Sequence, residues 1–163
     1  MKTKVISLRS RQDRRNSFID RNESLLPSDA DFFDAYNGKA VTHADLIAQG
    51  YDTDKYWRDP ILGRTLTKGE IGCFISHWLL WCECAAGVED YVIFEDDVVL
   101  EEPLQELLDQ APDCELLYLA HKEMAPEGAV DLGNGFIRPC YPYHLSAYKI
   151  TPSGAAKLIE GDP

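Results

Sequence analysis

The sequence predicts an α/β protein whose central, mostly parallel sheet is flanked by helices. Short apolar runs that suit strands alternate with segments of helical periodicity through most of the 163 residues. The predicted strands 91–94 and 115–119 are apolar on both faces, which is typical of strands buried inside a parallel sheet. Because this length suits one domain of ordinary size, we expect residues 1–163 to form a single domain.

The first half of the chain predicts two strands and two helices before a long loop. In chain order these are a strand over 4–8, a helix over 13–26, a strand over 31–36, a helix over 42–49 and a loop over 51–65. Pro27 ends the first helix, since a proline inside a helix removes a backbone hydrogen bond. Thr42, with Asp45 three residues later, is a typical N-cap, and Gly50 is a typical helix stop.

The second half continues the alternation of helices and strands. In chain order these are a helix over 67–86, a strand over 91–94, a helix over 103–108, strands over 115–119, 136–138 and 145–150, and a last helix from 152. Thr67 and Glu70 have the spacing of a capping box, in which each side chain bonds the other residue's backbone N–H. Thr151 and Pro152 suit the N-cap and the first position of the last helix.

The N-terminal segment is basic, whereas the rest of the chain is acidic. The formal net charge is −12, yet residues 1–21 carry seven basic side chains against two acids. So acidic a chain is a poor general binder of nucleic acid or anionic lipid, which both need a positive footprint. The basic segment favours a small anionic ligand, with a solvated helix face that balances local acids as an equally good interpretation.

The cysteines and the apolar runs of the sequence indicate in which cellular compartment the protein is expected. The five cysteines match no common zinc or disulfide framework, so we expect reduced thiols, most of them filling the core, in a reducing compartment. The longest apolar run, 78–82, is far too short to cross a bilayer. The apolar run near the N-terminus is likewise too short for a signal peptide. These features predict a cytoplasmic protein with no transmembrane segment.

Three carboxylates, Glu95, Asp96 and Asp97, follow directly on the predicted strand 91–94. Ligands of open α/β sheets bind beyond the carboxyl ends of strands. In an extended chain Glu95 and Asp97 would face one site together, with Asp96 turned away. The pattern favours Mg²⁺ or Mn²⁺ held by Glu95 and Asp97, the usual bridge to a diphosphate. A solvated acidic turn is the alternative, which the apolar residues on both sides disfavour.

The helix over 67–86 is apolar almost all round, which predicts a buried helix. One predicted apolar stripe comprises Ile71, Ile75, Trp78, Leu79 and Cys82. A second sector comprises Glu70, Cys73, His77 and Trp81. We expect His77 to be buried and hydrogen-bonded, either as a satisfied core histidine or as part of a site. Gly69 and Gly72 in the first turn predict the close approach of a ligand or of another backbone segment.

Several segments in order carry a resemblance that covers nearly the whole chain. They read VISL at 5–8 and DRR at 13–15, TKGEIGCFISH at 67–77, YVIFEDDV at 91–98, SAY at 146–148 and SGAAKL at 153–158. These motifs resemble glycosyltransferase family 25, which includes bacterial lipopolysaccharide-core and lipooligosaccharide transferases and the collagen galactosyltransferases. The segment 67–77 is the motif most specific to this family. Ser7 departs from the family pattern, which usually has asparagine at that position.

The resemblance implies a GT-A-like, Rossmann-type sandwich and a metal-dependent, inverting transfer of a hexose, most commonly galactose. The donor would be a UDP-sugar, the cofactor Mn²⁺ or Mg²⁺, and the acceptor a glycan, a lipooligosaccharide or a glycoprotein. By position, the donor would lie near Ser7, Leu8, Arg14, Gly69, Glu70, Ser76, His77 and Asp96, and the metal on Glu95 and Asp97. Arg14 would stabilise the leaving diphosphate. A peripheral location at the inner membrane is the alternative to a purely cytoplasmic one.

The acceptor's proton requires a carboxylate or a histidine, and Asp131 and His144 are the candidates late in the chain. No spacing selects either, and His144 could instead ligate a metal or lie in a loop. Family members generally continue beyond the last predicted helix, so we expect residues 1–163 to bind UDP or UDP-sugar but to transfer sugar slowly or not at all. A non-catalytic nucleotide-sugar or glycan-binding domain and another metal-dependent phosphoryl enzyme are the alternatives.

Overall fold

The computed structural model describes residues 1–51, 58–60 and 62–160 and contains seven strands and five α-helices in that part of the chain. The strands are β1 (Lys2–Ser7), β2 (Asp31–Asp34), β3 (Tyr91–Glu95), β4 (Leu116–Glu123), β5 (Val130–Gly133), β6 (Phe136–Arg138) and β7 (Pro142–Ile150). The helices are α1 (Gln12–Asn22), α2 (His43–Ala48), α3 (Lys68–Ala85), α4 (Leu104–Asp109) and α5 (Pro152–Leu158). The predicted α/β class is therefore confirmed.

The main sheet has five strands in the order β2-β1-β3-β7-β4. Strand β1 pairs in parallel with β2 and β3, whereas β7 is antiparallel to both β3 and β4. Four strands thus run in one direction and β7 in the other, a mixed sheet compatible with a Rossmann-like arrangement. The predicted strand 115–119 lies at an edge of the sheet rather than inside it, and the predicted strand 136–138 pairs with β5 in a separate hairpin.

Two apolar clusters cover the two faces of the sheet. Helices α3 and α5 pack on one face, where Leu80 and Ala155 meet Tyr91 and Ile93 of β3. Helices α1 and α4 pack on the other face, where Phe18 and Leu104 meet the alternate residues of β3. Since side chains of a strand alternate between faces, β3 is buried on both sides, as its sequence predicts.

The buried side of α3 differs from the predicted apolar stripe. The fully buried residues of this helix are Gly72, Ile75, Ser76, His77, Leu80, Trp81 and Cys84. Of the predicted stripe only Ile75 belongs to this set, and Leu79 is 38% exposed. A helix that is apolar all round has a weak preference for either side, so packing against β1, β3 and β7 decides which side is buried.

The ends of the helices follow the predicted capping signals. Complete capping boxes start α2 at Thr42 and α3 at Thr67, and the Thr151 hydroxyl accepts a hydrogen bond from the Gly154 N–H at the start of α5. Helix α1 ends at Asn22 and passes directly into a 3-10 helix over Glu23–Leu25, so helical structure reaches almost to the predicted boundary. The Asn22 side chain bonds the backbone of Val98 and Leu100 across the fold.

The predicted loop over 51–65 lies partly outside the described residues, namely at 52–57 and 61, and its remaining residues form no helix or strand. All five cysteines are free thiols, but only Cys84 is buried, so the prediction that most of them fill the core is wrong. Within the described part of the chain, no helix is both long and apolar enough to cross a membrane.

Candidate functional site

A cleft of about 230 Å³ lies at the carboxyl ends of β1, β2 and β3. Its walls come from five segments, namely residues 6–8 at the end of β1, Arg11 before α1 with Arg14 on it, residues 35–39 after β2, Gly69, Cys73 and Ser76 of α3, and residues 95–97 at the end of β3. This edge is where open α/β sheets bind ligands. The cleft collects most of the predicted site residues, including all three carboxylates of the acidic cluster.

The acidic cluster does not alternate as an extended strand would. Strand β3 ends at Glu95, and a turn follows in which the Val98 N–H donates to the Glu95 carbonyl. Asp96 is buried, accepts a hydrogen bond from the Ser7 hydroxyl at 2.7 Å and forms an ion pair with Arg14 at 2.5 Å. The prediction that Asp96 turns away from the site is therefore wrong, because the turn brings its carboxylate back towards β1 and α1.

Arg14 bridges two carboxylates at the cleft wall. Its guanidinium reaches Asp96 at 2.5 Å and Asp97 at 3.1 Å. The contacts of Asp97 and Glu95 use Oδ2 and Oε1, and Oδ1 of Asp97 and Oε2 of Glu95 accept no hydrogen bond from the described residues. Arg14 is therefore a constrained cation at the site, and two oxygens suited to a hard metal ion remain available beside it.

Glu95 receives two hydrogen bonds from α3. The Cys73 thiol lies 3.2 Å and the His77 Nε2 3.3 Å from the same carboxylate oxygen, Oε1. Burial raises the pKa of Glu95, but the hydrogen bonds from His77 and Cys73 outweigh it and hold that pKa below its ordinary value. Although the residue is exposed as a whole, partial desolvation of its thiol and the adjacent Glu95 carboxylate raise the pKa of Cys73 to about 12. The pair is thus an ionised carboxylate beside a protonated thiol.

His77 is buried and hydrogen-bonded, as predicted, and both of its ring nitrogens have partners. Its Nδ1 lies 2.8 Å from the Tyr148 hydroxyl, which also accepts the Trp81 indole N–H at 2.8 Å. With Trp81 donating to the tyrosine oxygen, all atoms are satisfied when the Tyr148 O–H donates to Nδ1, which leaves the proton on Nε2 facing Glu95. The residue does not line the cleft and acts on it through Glu95.

The two glycines of α3 have different surroundings. A Cβ on Gly72 would lie 2.6 Å from the Tyr36 carbonyl oxygen and 2.7 Å from the Gly38 nitrogen, so the backbone after β2 is what approaches here. A Cβ on Gly69 would meet nothing nearer than 3.8 Å, and this residue lines the cleft. Ser76 is fully buried, donates to the Gly72 carbonyl and accepts the Tyr36 N–H, so it fixes the cleft wall.

Glu70 lies outside the cleft, although its position in the sequence predicts a donor contact. It completes the capping box of α3 and forms a bidentate pair with Arg64, both contacts being 2.8 Å. Hydrogen bonds from Arg64 and from Thr67 lower the pKa of Glu70 to about 2. Its two oxygens are therefore occupied by structural contacts with the helix start and the preceding loop.

The two predicted catalytic residues also lie outside the cleft. Asp131 is exposed in the β5–β6 hairpin and accepts a hydrogen bond from the Gly133 N–H. His144 is exposed on β7, not in a loop, where the pairing with β4 loses register; it has a φ of 70° and packs against the Tyr143 ring. Their late position in the chain carried no information about distance from the acidic cluster.

Sequence reasoning missed several residues of the cleft. Arg11, Asn37, Lys39 and Cys73 all line it, and none of them was among the predicted site residues. The signal that could have found Asn37 and Lys39 is the carboxyl-end rule, applied to the second parallel strand as it was to 91–94. Within the described residues, the Lys39 ammonium makes no hydrogen bond or ion pair. It is therefore a cation available to a ligand.

The structure is that of an α/β protein with a cleft lined by basic and acidic side chains at the carboxyl edge of its parallel strands. The chain belongs to glycosyltransferase family 25, since the model of that family, described as "Glycosyltransferase family 25 (LPS biosynthesis protein)", matches residues 1–128.

Similar proteins include both transferases and members described as inactive. The chain is 36% identical to a probable inactive glycosyltransferase 25 family member 3 of Rattus norvegicus, over 98% of this chain and 30% of the rat protein. It is 34% identical to procollagen galactosyltransferase 2 of Mus musculus over 98% and 27%, and 31% identical to procollagen galactosyltransferase 1 of Danio rerio over 98% and 28% of the two chains. The chain thus spans less than a third of the length of these relatives.

Proposed function

We propose that this chain is the donor-binding part of a metal-dependent, inverting glycosyltransferase of GT-A-like fold. The donor is a UDP-sugar, and the hexose is galactose, as the names of the procollagen galactosyltransferase relatives suggest. The acceptor is a hydroxyl group of a glycan or glycoconjugate, with a glycoprotein favoured over a lipooligosaccharide by the same relatives. The observation that carries the proposal is that one cleft holds both a lysine ammonium and two carboxylate oxygens for which the described residues supply no hydrogen-bond partner.

The positive side of the cleft suits a diphosphate. The Lys39 ammonium has no partner among the described residues, and Arg14 lines the same cleft. Gly69, in the first turn of the 18-residue α3, adds no side chain and leaves the start of that helix open to the cleft. The N-terminal end of a helix favours an anion, because its backbone N–H groups point outward.

The acidic side suits a hard divalent ion that bridges to the diphosphate. Mg²⁺ and Mn²⁺ are usually held by one or two carboxylates together with phosphate oxygens. Glu95 and Asp97 each offer one oxygen without a partner in the described part of the chain, whereas both oxygens of Asp96 are engaged by Ser7 and Arg14. We therefore assign Glu95 and Asp97 to the ion and Asp96 to holding Arg14. When bound, the ion supplies charge stabilisation to the diphosphate that leaves.

The residues of the chain contribute binding and orientation to the single displacement. Lys39 and Arg14 stabilise the charge that develops on the diphosphate as the bond to the sugar breaks. His77 keeps Glu95 ionised and correctly oriented, through the hydrogen bond at 3.3 Å. The roles of Asp131 and His144 as acceptors of the hydroxyl proton stay predictions, as does the cytoplasmic or membrane-peripheral location.

Calorimetric titration with UDP tests the proposal. We expect Mn²⁺ to strengthen UDP binding compared with a chelator, and Asp97→Ala to abolish that gain without unfolding the protein. Asp131→Ala is the matched control, because it removes an exposed carboxylate outside the cleft. Equal UDP affinity with Mn²⁺ and with chelator would contradict the metal assignment, and no binding of UDP under either condition would contradict the donor site.

A non-catalytic nucleotide-sugar-binding domain is the second candidate function. It is favoured by the relatives that are described as inactive and by the position of Asp131 and His144 outside the cleft. The two functions differ in turnover and not in donor binding. An assay of sugar transfer and of donor hydrolysis with labelled UDP-galactose separates them, since binding without either product supports the second candidate.

A further inference from the structure

Cys73, His77 and Glu95 bring three different metal-ligand atoms together beside the cleft. Cys73 and His77 are four residues apart on α3, so they share one face of the helix, and Glu95 ends the adjacent strand β3. The Cys73 Sγ, the His77 nitrogen and a Glu95 oxygen all lie within 4.8 Å of one another. In the part of the chain that the structure describes, this is the sole group of three or more such side chains with this closeness.

The distances match those between ligands of a tetrahedral ion. Bonds of about 2.0–2.3 Å at tetrahedral angles separate the ligand atoms by roughly 3.3–3.5 Å. The Sγ to Oε1 distance is 3.2 Å and the Nε2 to Oε1 distance is 3.3 Å. Two of the three distances thus match a tetrahedral ion, and the third, from Sγ to the His77 nitrogen, is within 4.8 Å. The donor set of thiolate, imidazole and carboxylate suits Zn²⁺, whereas Mg²⁺ and Mn²⁺ favour oxygen ligands.

We propose that Cys73, His77 and Glu95 form a three-ligand site for Zn²⁺ or a similar borderline-soft divalent ion. Its fourth position opens into the cleft, since Cys73 and Glu95 line the cleft wall, and it takes water or a phosphate oxygen. The site goes beyond the proposed Mg²⁺ or Mn²⁺ function, because it needs no nucleotide and uses nitrogen and sulfur. It shares Glu95 with the harder ion, through Oε1 rather than through Oε2, which accepts no hydrogen bond from the described residues.

Metal binding changes the protonation of Cys73 and His77 and gives the second ring nitrogen of His77 a hydrogen-bond acceptor. Binding forms Zn–S, Zn–N and Zn–O bonds and releases the thiol proton of Cys73 to solvent, since a bound dication deprotonates a coordinating thiol. His77 changes tautomer, so that its single ring proton lies on Nδ1 and is donated to the Tyr148 oxygen 2.8 Å away. That oxygen then accepts from both His77 and Trp81, and the Tyr148 O–H no longer donates to Nδ1. Such a hydrogen bond on the far nitrogen fixes the ring orientation that a metal-bound histidine needs.

Absorption spectroscopy with Co²⁺ tests the site in the absence of nucleotide. We expect the wild-type chain to bind one equivalent with a thiolate-to-cobalt charge-transfer band, and Zn²⁺ to displace it. Cys73→Ser should abolish the band and weaken Zn²⁺ binding at least about tenfold. Cys140→Ser is the matched control, because it removes another exposed thiol that does not line the cleft, and it should keep the band.

The folding of the Cys73→Ser variant and the state of the donor site are checked separately. Cys73 is exposed, so its replacement by serine is compatible with folding, and circular dichroism checks this. A UDP titration of the same wild-type sample reports on the donor site separately, so failure of one proposal is distinguishable from failure of the other. A wild-type chain with no charge-transfer band, or a band that survives Cys73→Ser, would overturn the Zn²⁺ site.

Discussion

The Tyr148 hydroxyl on β7 lies 2.8 Å from Nδ1 of His77 on α3, and this contact joins the core of the protein to its acidic cluster. Trp81 donates to the same hydroxyl, and the other ring nitrogen of His77 faces Glu95. A buried chain of hydrogen bonds therefore runs from Trp81 to the carboxylate at the end of β3. Since Tyr148 has no exposed surface, each polar atom in that chain depends on its neighbours for a partner.

We expect Tyr148→Phe to destabilise the fold by about 2 kcal/mol, because it leaves the Trp81 N–H and the His77 Nδ1 buried without a partner. Urea unfolding followed by tryptophan fluorescence measures the change. Tyr141→Phe, which removes the hydroxyl of a tyrosine that is 44% exposed, should shift stability by less than about 0.5 kcal/mol. Similar small effects for both variants would show that the hydrogen-bond chain does not matter to the fold.

Replacing Gly72 by alanine should cost about 3 kcal/mol or prevent folding, because its Cβ would overlap the Tyr36 carbonyl and the Gly38 nitrogen. These are backbone atoms, which cannot move aside as the end of a flexible side chain can. Gly69→Ala, three residues earlier on the same helix, meets only ordinary contacts and should stay within about 0.5 kcal/mol of wild type. Thermal unfolding of the two variants side by side checks this difference, and equal stabilities would refute it.

Local signals in the sequence were enough to predict most helices and strands. The capping residues Thr42, Thr67 and Thr151 act within one turn of a helix, so their effect is visible in the sequence alone. Strand β7 lies antiparallel between β3 and β4, and β4 lies at the edge of the sheet. Both features depend on pairing between distant segments, which no local pattern encodes. The sequence therefore predicted the elements of the sheet better than their order.

The site was also predicted only in part, because some of its features follow from local sequence signals and others from long-range pairing. The carboxyl-end rule correctly located Glu95, Asp96 and Asp97 at the cleft. The orientation of Asp96 depends on a turn that the alternation of an extended strand does not describe. Lys39 was missed because it stands alone in a turn, and only the parallel pairing of β2 with β1 brings that turn to the same edge.

Glu70 should make the fold sensitive to acid. Its pKa is about 2 in the folded protein, against an ordinary value of 4.5, so the stabilisation from its carboxylate is complete above about pH 4.5 and is lost as the pH falls towards 2. Urea midpoints for wild type and Glu70→Gln should therefore differ at neutral pH and converge in acid. Glu102→Gln, at an exposed acid with no hydrogen bond or ion pair to the described residues, should show no such convergence.

Lys39→Met should weaken UDP binding about tenfold, corresponding to about 1.4 kcal/mol, because it removes a cation from the diphosphate. The side chain is exposed and makes no hydrogen bond or ion pair to the described residues, so stability should be unchanged. Isothermal titration calorimetry measures the affinity. Lys122→Met, at an exposed lysine that does not line the cleft, is the control, and an equal loss in both variants would argue against a specific phosphate contact.

The central claim is that the cleft at the carboxyl ends of β1, β2 and β3 binds the nucleotide of the donor. The most direct measurement is the change in backbone amide NMR signals when UDP and Mg²⁺ are added to the labelled chain. We predict that the amides of Ser7, Lys39, Gly69 and Asp97 shift in a saturable manner, while those of the β5–β6 hairpin stay unchanged. Saturable shifts confined to the hairpin, or no shifts at high UDP concentration, would contradict the account.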